Sequence, residues 1–96
     1  MYVITLDYLA PADAVDAALE AHNEWLNVHY TRGLFLISGP REPRVGGVII
    51  TADRPRDEVE AAIIRDPFAL RGIARHSLIE FRPSRVARLK AWPIRE

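Results

Sequence analysis

A chain of 96 residues, 49% hydrophobic and with 13 Lys+Arg against 13 Asp+Glu, is the size and composition of one small soluble domain. Its zero net charge argues against a dedicated binder of nucleic acid or of anionic membranes. The absence of cysteine removes disulfides, thiolate metal sites and cysteine nucleophiles, and no apolar run approaches the ~20 residues of a bilayer span.

Residues 2–9 alternate, with Tyr2, Ile4, Leu6 and Tyr8 opposing Val3, Thr5 and Asp7, so a half-buried strand opens the chain. No basic segment with a following apolar run precedes it, so no signal peptide is read and the cytoplasm is the expected compartment. Pro11 and the acidic Asp13 and Asp16 start a helix that runs to about Arg32, with Gly33 as its stop. Leu34 to Ile37 form a second strand, closed by Ser38-Gly39-Pro40. The polar stretch 40–46, with two prolines and two arginines, reads as a solvated hairpin tip or as a flap over a site. Residues 47–51 make a third strand, 55–66 a second helix, 70–75 a connector, and 77–81 a fourth strand ended by Pro83. The domain is therefore 1–83, followed by a basic tail over 84–96 that includes Trp92. The tail arginines suggest a solvated or subunit-contacting arm, since no RNA-recognition aromatic motif accompanies them.

The order β-α-β-β-α-β is the split βαβ arrangement of ferredoxin-like α+β folds. Right-handed crossovers put both helices on one face of a four-stranded antiparallel sheet. The other face is then uncovered, and a second copy of the sheet is the simplest cover for it.

Two polar residues interrupt the apolar stripes of the helices. His22 stands seven residues after Val15, between Leu19 and Leu26, and Asp66 stands seven residues after Val59, beyond Ile63. At about 100° per residue, seven residues return to nearly the same helix face. Burying an imidazole and a carboxylate is costly unless they meet. If the fold joins the two helices, they form an acid–base pair, with Asp66 fixing the tautomer of His22. Each also has a purely structural reading. His22 fits a core position with its nitrogens satisfied, and Asp66, before Pro67, fits a turn or a cap over Phe68 or Ala69.

Ser38 and Gly39 end a strand where the backbone could approach a ligand, and Phe68 could wall a pocket of aromatic size. A turn and core packing are the corresponding structural roles. His29 shares the face of His22, but seven residues is roughly 10 Å of helical rise, too far for one shared ion. No metal site is read, and His29 is assigned to the helix end, where positive charge is tolerated. His76 carries no signal.

Several segments in order resemble one known family. They are Ala21-His22-Asn23-Glu24-Trp25-Leu26, Gly33-Leu34-Phe35-Leu36-Ile37-Ser38-Gly39-Pro40, Gly46-Gly47-Val48-Ile49, Asp66-Pro67-Phe68 and Ile79-Glu80-Phe81. Over Met1 to about Pro83 the chain is similar to the YciI-like, or YCII-related, proteins. The resemblance implies a dimeric α+β barrel of ferredoxin-like subunits. It also implies an active site on a histidine and an aspartate, which here are His22 and Asp66. One member is a dehydrochlorinase of a chlorinated hydroxyhydroquinone, so the resemblance points to lyase chemistry.

The expected protein is a homodimer that acts on a small cyclic or phenolic substrate by acid–base elimination or isomerisation. His22 and Asp66 are its catalytic residues, Ser38, Gly39 and Phe68 line its substrate, and it needs no cofactor. The rival is a non-catalytic metabolite-binding or regulatory module. A haem role for His22 rests on fold analogy alone.

Overall fold

The computed structural model describes residues 1–87. The expected basic tail lies outside the described residues from 88 onward. The elements follow one another as β1 (Tyr2–Tyr8), α1 (Ala12–Thr31), β2 (Phe35–Pro40), β3 (Gly46–Thr51), α2 (Arg56–Ile63), α3 (Pro67–Leu70) and β4 (Ala74–Glu80). The strands form one sheet in the order β2-β3-β1-β4, with every neighbouring pair antiparallel. The fold is the ferredoxin-like α+β arrangement that the element order predicts. None of the helices among the described residues is long and apolar enough to cross a membrane.

Alternation along β1 sorts the sheet into two faces. Tyr2, Ile4 and Leu6 are buried on the helix side, joined by Ile49 of β3 and Phe35 of β2. Helix α1 covers this side with Val15, Ala18, His22, Trp25 and His29, all buried. Their spacing of three and four residues winds one stripe along the helix. Gly33 stops α1 at a φ of 77°, a conformation that favours glycine. Leu34 N–H then bonds back to the His29 carbonyl at 2.9 Å and the chain enters β2.

Three boundaries differ from the sequence reading. Helix α2 ends at Ile63 rather than 66, because Pro67 forces Asp66 into an extended conformation with ψ of 126°. Strand β2 continues through Ser38, Gly39 and Pro40, which pair with Ile49, Val48 and Gly47. Turn-forming residue types are overridden there by the hairpin register. Strand β4 begins at Ala74, so His76 lies within the sheet opposite Leu6.

The face away from the helices carries an apolar row across all four strands. The pairs Ile79–Val3, Val3–Ile50 and Ile50–Ile37 make it continuous. Ile79 is 55% exposed at its edge.

Candidate functional site

Asp66 is the centre of the site, and its position follows from a local rule. The residue before a proline turns away from helix, and Asp is a preferred N-cap. Asp66 accordingly caps α3, accepting the Phe68 N–H at 3.0 Å through Oδ1. The same turn directs its carboxylate into the core, where it is 0% exposed. An ionised carboxylate there requires donors from other elements.

Two imidazoles supply them. His22 Nδ1, from the middle of α1, lies 2.8 Å from Asp66 Oδ1. His76 Nε2, from β4, lies 2.7 Å from Asp66 Oδ2. Burial alone would push the Asp66 carboxyl up. The hydrogen bonds from His22 and His76, the charge interaction with His22 and the Phe68 N–H outweigh burial and hold it below the usual 3.8. An ionised carboxylate only accepts, so His22 carries its proton on Nδ1 and His76 on Nε2. In neutral His22 the nitrogen left bare is then Nε2.

The rings around His22 fix its plane. Phe68 stacks on it at a centroid distance of 4.0 Å and 6° between planes, and Trp25 sits 5.4 Å away at a tilt. Trp25 donates its indole N–H to the Ala62 carbonyl at 2.9 Å, which ties α1 to the last turn of α2.

His22 lines a cavity of about 370 Å³ between α1 and the sheet. Leu6, Leu19, Leu26 and Ile49 give it apolar walls, and Asn23, Ser38 and Arg44 add polar groups. The volume lies at the small end of small-molecule sites. Arg44, on the 41–45 loop, binds Asp16 at 2.7 Å and stands 5.9 Å over the Tyr8 ring. That loop therefore rests against α1 and β1 at the cavity.

The structure brings all five residues singled out from sequence to this cavity or its edge. His22, Ser38, Gly39 and Phe68 line it, and Asp66 stands behind His22. The Ser38 hydroxyl is hydrogen-bonded to the Tyr30 hydroxyl. Phe68 is 1% exposed and stacks on the imidazole, so it acts more as backing for His22 than as an open wall.

His29 lies in the last turn of α1, as the sequence reading places it, but it is buried against Trp25 and Phe35, an environment that disfavours the positive charge expected there. Burial, aided by Arg32, depresses its pKa below 6.5, and its Nδ1 finds no partner among the described residues. His76 is the residue that sequence reasoning missed. The available signal was the alternation Ala74, His76, Leu78 against Arg75, Ser77, Ile79, which extends β4 backwards and turns His76 inward.

Comparisons with known proteins agree with this architecture. The family described as YCII-related domain matches residues 1–82. Among solved structures, the chain is similar to 5-chloro-2-hydroxyhydroquinone dehydrochlorinase from Burkholderia phenoliruptrix AC1100, in complex with 2,5-dihydroxybenzoquinone. The TM-score is 0.69 at 17% identity, covering 85% of this chain and 94% of that one. At that identity the likeness establishes the shared fold. No curated protein matches the chain in sequence.

Proposed function

The chain belongs to the YCII-related family over residues 1–82, and from this premise we propose that it is a small cofactor-independent enzyme of the lyase or isomerase type. Its substrate is a small cyclic or phenolic metabolite. The observation that carries this reading is the 2.8 Å bond between His22 and a wholly buried Asp66 at the edge of a cavity.

The proposed chemistry needs only the chain's own groups. His22 Nε2 accepts a proton from a substrate C–H or O–H. The electron pair left behind forms the new double bond and expels an anionic leaving group such as chloride, or the proton returns at another position. Asp66 holds the Nδ1–H and offsets the imidazolium charge. With the Tyr30 hydroxyl donating to it, the Ser38 hydroxyl would donate its own proton to oxygen where negative charge develops. The imidazolium then releases its proton to water.

The uncovered sheet face supports a homodimer as the working form. A contiguous apolar row of this kind is a common mark of an interface, and two such faces bury each other.

The test starts from the substrate and ligand of the similar dehydrochlorinase. With 5-chloro-2-hydroxyhydroquinone and related halophenols, chloride release is followed against time, and 2,5-dihydroxybenzoquinone binding is read by calorimetry. The expected result is turnover that falls about 10²–10⁴-fold in His22→Ala, with binding of the quinone retained. Binding of the quinone that is weakened in His22→Ala and Asp66→Ala, with no turnover of any compound by the parent, would instead make the protein a metabolite-binding module.

A further inference from the structure

Asp66 has two oxygens, and the acid–base reading uses only one of them. The second is claimed by His76 Nε2 at 2.7 Å, closer than the 2.8 Å of the His22 contact. His76 comes from a different element and from the opposite side of the carboxylate. It lies on β4, in register with Leu6 of β1, and its side chain is 5% exposed. The groove it lines is bordered by Arg56, Glu60, Ile63, Ile64 and Leu78, none of which lines the cavity at His22. His76 is thus screened from anything bound beside His22.

We infer that His76 is a positioning residue of the site: it locks the second oxygen of Asp66, so that the first stays turned toward His22 Nδ1. The inference rests on the reading of His22 as the base. Its physical reason is rotational. With one imidazole partner, a carboxylate can swing about its last bond and exchange oxygens. With donors fixed on both oxygens, from α1 and β4, and a backbone N–H on the first, it has one orientation. That orientation keeps the His22 proton on Nδ1 and leaves Nε2 bare. The charged neighbours of His76 do not compete for this role. Arg56 and Glu60 from α2 are paired with each other at 2.9 Å, and the facing β1 residue, Leu6, is apolar. Asp66 and, through it, His22 are the titratable groups facing His76 from α3 and α1.

The experiment is nuclear magnetic resonance on the full chain without substrate. Carboxyl ¹³C shifts report Asp66, and ring ¹⁵N shifts report the histidine tautomers. Three proteins are compared: the parent, His76→Leu and His76→Gln. In the parent, His76 is expected as the Nε2–H tautomer and His22 as the Nδ1–H tautomer. In His76→Leu, the Asp66 carboxyl is expected to titrate about one pH unit higher, and the Nδ1–H signal of His22 to weaken. His76→Gln, whose amide can donate to the same oxygen, is expected to restore both. An Nδ1–H tautomer for His76 in the parent overturns the inference without any substitution, so it stays testable even if His76→Leu fails to fold. Unchanged Asp66 and His22 signals in a folded His76→Leu overturn it equally. None of these readings depends on turnover, so their failure is distinguishable from a failure of the enzymatic proposal.

Discussion

At the scale of single residues, two buried titratable groups give the protein two acid-sensitive steps. His29 has a depressed pKa because burial disfavours its charged form. The unfolded chain therefore binds a proton on this ring more readily than the folded one. Its contribution to stability is present above pH 6.5, the ordinary histidine value, and is lost as pH falls from there through the folded value. Asp66 has the same sign at lower pH. Its contribution is present above 3.8 and is lost as pH falls through the depressed folded value. Urea midpoints measured between pH 8 and 3 are expected to decline in two stages. His29→Leu, which keeps the buried volume apolar, is expected to flatten the first stage and leave the second. A first stage that survives in this variant would assign the loss to another group.

At the scale of elements, the site depends on close backbone contact between β1 and β3. A Cβ placed on Gly46 would stand 1.7 Å from the Leu6 carbonyl oxygen. No side-chain rotation relieves a clash with main chain. Gly46→Ala is expected to cost about 3 kcal/mol, read as a drop in the denaturant midpoint, and to disturb the wall that Leu6 and Gly47 give the cavity. The elements were legible where the hydrophobic period was long and clean, as in β1 and α1. They were less so where one residue type carried two meanings. Ser38-Gly39-Pro40 reads as a turn in isolation, yet pairs in the sheet because β3 offers a register for it. Asp66 was found through a helical spacing that does not hold, since α2 stops at Ile63. It reaches His22 because Pro67 starts a new short helix there and Asp66 caps it. The capping role and the bond to His22, weighed as alternatives, are made by the same carboxylate at once. For His76 only half was legible: the alternation along β4 turns it inward, but its hydrogen bond to an aspartate ten residues away leaves no trace in local pattern.

At the scale of the whole molecule, the layout sets one layer of helices against one side of a sheet and leaves the other side open. A chain of 96 residues has a limited core of its own, so covering that side adds stability that the single subunit lacks. The row Ile79–Val3–Ile50–Ile37 has no charge along it. Val3→Arg is expected to convert a dimer into a monomer by sedimentation velocity while leaving the helix content unchanged. A parent protein that sediments as a monomer at high concentration would remove the dimer from the proposal. The helix side has its own molecular readout. Trp25 lies between His22 and His29, with centroids at 5.4 and 5.3 Å, on one face of α1. A protonated imidazole quenches the light emitted by an adjacent indole. With Trp92 replaced by Phe, the brightness of the folded protein would therefore record the charge on both histidines, and would dim or brighten as a ligand took or returned a proton, with no dye or label attached.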